Sequence, residues 1–358
     1  MPKSTTSSTE PDPTGDLRLW ITILAGGVGS RFWPVSTPSR PKQLLPLGSD
    51  RPLIRDTVER ALDIVPPGSL RILAGDALLS RFRAVLPPLP DEVFMAEPMA
   101  RGTAPVLAWA AHRIGREDPE AVLVSLHSDH VIRPPEALGP VLLGAARLAR
   151  RENALFTLSA RPDRPETGYG YIRTGQGIEN EDALRAHRVE RFVEKPDLET
   201  AERYVSQGHL WNTGMFVWPA RTFLDEIRRW TPEIAEHLHL LDGDDDVGFF
   251  RSCPNVSVDE AVLERSDRVG TVEAPFEWDD VGSWEALSRT RGSDGAGNTV
   301  VGEVSIVDGS GNIAYSEGDQ VVLWGLSDLV VVNAGGVAVV MPRDRAPRLK
   351  ELLETLPE

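Results

Sequence analysis

Apolar residues along this chain come in two textures. Short continuous runs alternate with stretches in which Leu, Ile, Val and Ala recur every three or four positions. "LRLWITILA" at 17–25 is apolar, partly β-branched and ended by glycines, which predicts a buried strand feeding a loop. "PLIRDTVERALDIV" at 52–65 carries an apolar stripe at helical spacing. The alternation continues with "RILAG" and "EVFMAE" as strands, "TAPVLAWAAHRI" as a helix, "AVLVSLHSDH" as a strand and "ALGPVLLGAARLARR" as a helix. Strands alternating with helices argue for an α/β sheet covered on both faces.

After about 160 the pattern loosens. "GYGYIR", "HRVERFVEKP" and "GMFVWP" predict shorter strands, and "PARTFLDEIRRWTPEIAEHL" at 219–238 predicts a helical stretch with Pro219 just before its start. "DGDDDVG" at 242–248 reads as a solvated loop; it lacks the later glutamate a calcium loop needs. From about 297, Val-rich runs broken by Gly, Asn and Asp predict a small β-rich, solenoid-like region with no exact repeat period. A long helix is expected only at "DRAPRLKELLETL". The expected organisation is a disordered tail at 1–16, a main domain at 17–290 and a β-rich domain with a terminal helix at 291–358.

Charge narrows the partners. With Lys plus Arg 38 against Asp plus Glu 54, the formal net charge is −16, which argues against a nucleic-acid binder but leaves room for a local cationic pocket. Cys253 is the sole cysteine, so an intrachain disulfide and a cysteine-based zinc site are ruled out and a reducing compartment fits. The N-terminus has no apolar core of a secretory signal, and no run approaches a membrane span. A cytoplasmic protein is the expectation.

The candidate chemistry lies in "LAGGVGSRFWPVSTPSRPKQLLPL" at 24–47, where glycines follow a strand and Arg31 and Lys42 flank a proline-broken loop. Open α/β sheets place ligands outside the carboxyl ends of their strands. The dinucleotide fingerprint fails here because Phe32 stands where a third spaced glycine is needed, and the Gly-Lys-Ser/Thr ending of a phosphate loop is absent. A glycine-rich turn alone could be no more than a tight strand-to-loop connection.

The segment resembles the signature of sugar-1-phosphate nucleotidyltransferases, and within them mannose-1-phosphate guanylyltransferase, also called GDP-mannose pyrophosphorylase. "AEPMARGTAP", "HSDH", "GYGYI", "RFVEKP", "WNTGMF", "SVDEAVLE" and "WDDVGSW" follow in the family's order. The resemblance implies a Rossmann-like mixed sheet of the nucleotide-diphospho-sugar transferase type, with a β-helix-like C-terminal domain. It also implies roles. Arg31 and Lys42 would hold the triphosphate, with the backbone of Gly26, Gly27 and Gly29 lining the nucleotide; surface cations on a loop are the plain alternative. Asp129 and Asp280 would hold Mg²⁺, Asp129 being otherwise a turn or cap residue. Arg101 would belong to the nucleotide side. Glu194, Lys195, Gly168 and Asn212 would read the sugar phosphate, Glu194 and Lys195 being otherwise an exposed charge pair, and Trp211 would be wall or core. Asp259 and Glu260 would border the sugar pocket or start a helix. His127 and His130 invite a zinc reading that neither a cysteine nor a paired histidine spacing supports.

Two departures stand out. "HSDH" replaces the family's usual Pro-Ala-Asp-His, and Gly102 stands where asparagine is common, removing an amide that would order the loop or contact the base. The implied reaction transfers GMP from GTP to α-D-mannose 1-phosphate. The alternatives are another sugar 1-phosphate or nucleotide, and a sugar-nucleotide-sensing homologue without activity. A monofunctional transferase and a homodimer are expected.

Overall fold

The computed structural model of the chain describes residues 17–27 and 29–355. The tail expected at 1–16 lies outside the described residues. In chain order the strands of the first unit are β1 Leu19–Leu24, β2 Leu70–Ala74, β3 Phe94–Ala96, β4 Val122–His127, β5 Val131–Arg133, β6 Leu155–Ala160, β7 Gly170–Gly177, β8 Ala186–Glu194, β9 Leu210–Pro219, β10 Val269–Glu273 and β11 Glu277–Asp279. A nine-stranded sheet takes the order β3-β2-β1-β4-β9-β6-β10-β8-β7. β1 pairs in parallel with β2 and β4, whereas β9 runs antiparallel to β4 and β6. The sheet is therefore mixed and Rossmann-like.

Alternate residues of each strand serve opposite cores. Ile21, Ile23, Val122 and Val124 join one cluster with residues of the Leu53–Leu62 and Leu138–Glu152 helices. Leu24, Leu73, Leu123 and Trp218 join another with the Thr103–Glu117 and Ala220–Trp230 helices. Burial on both faces is why these strands read as unbroken apolar runs.

The structure corrects several expectations. β7, β8 and β9 are longer than the six-residue β1 rather than shorter, at eight, nine and ten residues. β6 and β10 and the Asp76–Val85 helix carry no clear sequence signal. β6 follows its helix across a left-handed Asn153 (φ 46°), so no Gly or Pro marks the change. The stretch at 219–238 breaks after Trp230: Thr231 leaves helical geometry (ψ 65°) before Pro232, as residues preceding proline tend to do. "DGDDDVG" is exposed at 242–245, as expected of a solvated turn, but it is tied to its neighbours. Asp244 pairs with Arg113 and Arg116, and the Asp245 carboxylate accepts from the Gly248 amide to cap a short helix.

The second unit comprises β12 Thr299–Val301, β13 Val304–Val307, β14 Ile313–Ser316, β15 Val321–Trp324, β16 Leu329–Ala334 and β17 Val337–Pro342. β12, β14 and β16 stack in parallel, and β13 stacks on β15. Thr299 pairs with Ile313 and Ile313 with Val330, so successive rungs differ in length and no fixed period exists. In place of the long terminal helix, a 3-10 segment at Arg343–Arg348 holds Pro347 and only Leu349–Leu353 is α-helical.

The two units share a core. Phe32, Trp284, Leu287, Ile313, Tyr315 and Leu349 belong to one cluster, with Phe32 edge-on to Trp284 at 5.1 Å. Arg343 donates twice to Glu285 (2.7 and 2.8 Å), and Arg40 donates to Glu317 at 2.6 Å.

Candidate active site

β1 and β4 are neighbours, so the segments leaving their carboxyl ends lie side by side; the Ser128 amide still donates to the Leu24 carbonyl at 3.0 Å. The glycine loop follows β1. Gly27 (φ 89°) and Gly29 (φ 70°) take backbone angles that L side chains avoid, and a Cβ at Gly29 would sit 2.4 Å from the Lys42 Cβ. The Gln43 amide donates to the carbonyls of Gly26 (2.6 Å) and Gly27 (3.2 Å), fastening the loop from behind. Gln43 is a functional-site residue that sequence reasoning passed over, although it stands in the quoted "PKQ". These residues border a cavity of about 440 Å³ that Arg31, Lys42, Asp129, Asp280 and Lys350 also line.

Pairing of β5 with β11 sets Asp279 opposite Val131, and so brings Asp129 and Asp280, on either side of that pair, to one end of the sheet. Lys42, only 7% exposed, donates to the Asp129 carboxylate at 2.8 Å and to the Asp280 carbonyl at 2.6 Å. Burial would raise the Asp129 pKa, but Lys42, His130 and His127 outweigh it and hold the carboxyl down to about 2. Asp280 moves the other way: burial, with Asp279 and Asp129 nearby, raises it against Lys42 and a hydrogen bond from Tyr169. The Tyr169 hydroxyl donates to Asp280 Oδ1 at 2.5 Å, and the Gly282 amide to the same oxygen at 3.1 Å. Arg31 is exposed and has no ion-pair partner among the described residues, so of the two expected cations only Lys42 is fixed.

Two aspartates tied to one lysine, Asp129 through its carboxylate and Asp280 through its backbone, at the edge of one cavity fit a hard divalent cation. His127 and His130 adjoin them: the two rings stack at 4.7 Å, and their nitrogens and an Asp129 oxygen lie within 4.8 Å of one another. The sequence invited a zinc reading here that no cysteine or paired histidine spacing supports; the turn after β4 brings the two rings and Asp129 together. His130 Nδ1 accepts from the Trp278 indole at 3.1 Å, so that nitrogen is already engaged. Burial lowers both imidazole pKa values, which favours the neutral rings.

The expected sugar-reading residues gather at the neighbouring strand ends. Lys195, in a left-handed conformation (φ 47°), donates from Nζ to Glu194 at 2.7 Å and from its amide to the Tyr169 carbonyl at 3.1 Å. Tyr169 thus spans both clusters, a role hidden in sequence because its partner is 111 positions away. Gly170 leaves the room Glu194 needs: a Cβ there would lie 2.6 Å from Glu194 Oε2. Asn212 is held on both ends of its amide, with one N–H left over. Its oxygen accepts from Thr157 (2.6 Å) and Gly214 (3.3 Å), and its nitrogen donates to Asp259 at 2.9 Å.

Asp259 both opens a helical turn and faces this cluster. Burial first, then the Glu194 carboxylate, push its pKa up to about 7 from an ordinary 3.8. Below the ordinary value the carboxyl is protonated whether or not the chain is folded, and folding bears no cost. As pH rises towards 7 the unfolded chain releases the proton first, so stability falls. Asp259→Asn, which keeps the oxygen and does not titrate, is expected to melt higher than the parent at pH 8 and to lose that advantage at pH 4. Equal offsets at both pH values in thermal melts would refute the raised pKa.

Gly168 and Arg101 are placed differently. Gly168 is exposed and its amide already donates to Glu166 at 3.1 Å. Arg101 Nε donates to the Phe250 carbonyl at 3.0 Å, and Arg101 does not border the glycine-loop cavity. Trp211 is buried, edge-on to Tyr169 at 5.1 Å, with Arg164 over its ring at 4.9 Å. Among the described residues no helix is long and apolar enough to cross a membrane.

A glycine loop after the first strand of such a sheet, facing a buried lysine bonded to the Asp129 carboxylate and the Asp280 backbone carbonyl, has the make-up of a phosphate site in an α/β protein. The chain belongs to the nucleotidyl transferase family, whose model matches residues 21–294, and residues 302–356 match the mannose-phosphate isomerase/GMP-like beta-helix domain. Within the family it is similar to mannose-1-phosphate guanylyltransferases. The Escherichia coli K12 protein of that name is 34% identical over 354 residues, covering 95% of this chain and 73% of the relative. The xanthan biosynthesis protein XanB of Xanthomonas campestris is 36% identical over 349 residues, covering 93% of this chain and 72% of its own. A solved Thermus thermophilus structure, described as a mannose-1-phosphate geranyltransferase, aligns at TM-score 0.85 and 34% identity, over 94% of this chain and 99% of that one. The family is one of sugar-1-phosphate nucleotidyltransferases.

Proposed function

We propose that this chain transfers GMP from GTP to α-D-mannose 1-phosphate, releasing diphosphate. The observation that carries the reading is Lys42, buried at the floor of a glycine-lined cavity and bonded both to Asp129 and to the Asp280 backbone. Similarity to proteins named as mannose-1-phosphate guanylyltransferases supports the choice of substrates.

An oxygen of the sugar phosphate attacks the α-phosphorus of the nucleotide, and the bond to the departing diphosphate breaks. The nucleophile is already ionised at neutral pH, since the second pKa of a phosphate monoester is about 6, so no general base is required. Lys42 and Arg31 stabilise charge on the phosphate oxygens. Asp129 and Asp280 would hold Mg²⁺, which when bound supplies Lewis-acid neutralisation of the triphosphate. Glu194 accepts from sugar hydroxyls, Lys195 meets the sugar phosphate, and Asn212 positions Asp259 beside them. With these parts, in-line positioning accounts for catalysis.

The test is a panel of GTP, ATP, dTTP, UTP and CTP against mannose, glucose and galactose 1-phosphates, reading diphosphate release and sugar-nucleotide product together. GTP with mannose 1-phosphate is expected to lead. A site that reads guanine must satisfy its O6 acceptor and N2 donor, and one such group left unpaired costs about 1–3 kcal/mol, or roughly five- to 150-fold. A lead for dTTP with glucose 1-phosphate would reassign both substrates. No diphosphate with any pair would replace the enzyme by a sensing homologue.

A further inference from the structure

The glycine-loop cavity has a wall from the other unit of the chain. Lys350 lines it, facing the same space as Arg31 and Lys42. Its position follows from packing. Leu349, 2% exposed, shares a core with Phe32 of the loop and with Trp284, and the Leu349–Leu353 helix sits against the Ser30–Phe32 turn. The Arg343–Glu285 and Arg40–Glu317 pairs fasten the second unit on both sides of this contact. The Lys350 ammonium itself is exposed and has no ion-pair partner among the described residues.

Residue choice sharpens the point. Lys plus Arg number 38, yet Lys3, Lys42, Lys195 and Lys350 are the only lysines. The chain meets nearly every need for a surface cation with arginine. Of the three lysines past the tail, Lys42 and Lys350 border one cavity, and Lys195 is bonded to Glu194 in the neighbouring cluster. A compact ammonium with three rotatable donors suits single phosphate oxygens, whereas the guanidinium fork suits planar, bidentate partners.

The location also selects a phosphate. Tyr169 ties Asp280 to the Glu194–Lys195 side, so in the reaction proposed above the sugar phosphate would enter from there and the α-phosphorus would meet Asp280. An in-line displacement sends the leaving group away from the incoming sugar phosphate, and Arg31 and Lys350 are the cations lining the Asp280 cavity that have no ion-pair partner among the described residues. We propose that Lys350, carried by the β-helix-like unit, is a catalytic cation for the departing diphosphate, so that the second unit completes the nucleotide site. The inference rests on the reaction proposed above and deepens it.

The experiment uses the full chain with Lys350→Ala, Lys350→Gln and Lys350→Arg, assayed in both directions. GTP affinity, measured calorimetrically without sugar phosphate, is expected to weaken roughly tenfold in the Ala and Gln variants, as for loss of one charge-assisted hydrogen bond. GMP affinity should not change. In the reverse reaction KM for diphosphate should rise and KM for the sugar nucleotide should stay put, and Lys350→Arg should recover part of the loss. A merely structural lysine would move both KM values or neither. Folded variants with parental GTP affinity and diphosphate KM, beside an active parent, overturn this inference alone. A parent that binds no nucleoside triphosphate overturns the proposed function and this inference with it.

Discussion

Asp280→Asn is expected to lower turnover roughly 100- to 1000-fold, the usual scale for losing one preorganised charge partner in a phosphate site. The substitution keeps the oxygen that accepts from Tyr169 and Gly282. It removes a charge that burial and the neighbouring Asp279 and Asp129 disfavour. The variant should therefore melt at or above the parental temperature while its activity collapses, because a carboxylate cluster held for function opposes stability. Its dependence on added Mg²⁺ should flatten as well. A Mg²⁺ titration of turnover, read beside a thermal melt, checks all three. Parental turnover with a parental Mg²⁺ titration would remove Asp280 from the catalytic set.

Gly102→Asn should cost about 3 kcal/mol or more in stability, although asparagine is the family's common residue there. Gly102 has φ 80° and ψ 177°, a region that is essentially closed to side chains. A Cβ built on it would lie 2.3 Å from the Val256 carbonyl oxygen and 2.9 Å from its nitrogen. Those are backbone atoms and cannot swing aside. Val256 is pinned between the Arg101 carbonyl and the Ala104 amide, both at 3.2 Å, and leads into buried Val258 and then Asp259. The damage should spread to the sugar-side cluster. Denaturant unfolding of the variant measures the loss, and a midpoint within error of the parent would contradict this backbone geometry. In sequence Gly102 reads as a missing amide; the structure makes it the residue that lets two loops touch.

Much of the fold was legible because burial on both sheet faces writes itself as apolar runs. β1 and β4 lie within the runs read as strands, with ends one to three residues inside them, for that reason. β6, joined to its helix through Asn153, shows where the signal thins. The glycines and Lys42 could be picked out because chain geometry demands them locally: Gly29 is tight against the stem of Lys42. The links across the site could not. Tyr169 to Asp280, Asn212 to Asp259 and Lys350 to the glycine loop are made by sheet order and by the packing of the second unit, which one-dimensional spacing does not encode. Arg101 marks another such link, its Nε donating to the Phe250 carbonyl 149 positions away.

The ring contact between Phe32 and Trp284, continued by Tyr315 at 5.5 Å from Trp284, has a thermodynamic consequence. Phe32 and Trp284 are wholly buried, and Ile313, Val330 and Val332 of the second unit bury beside them. Removing the rungs would hand these rings to water, and the glycine loop would lose the anchor at its exit. The two units therefore behave as a single melting body, with one calorimetric transition in which the enthalpy fitted from the curve equals the enthalpy measured under it. The β-helix-like unit is in that sense part of the hardware of the nucleotide loop, and selection on the one cannot leave the other free to drift.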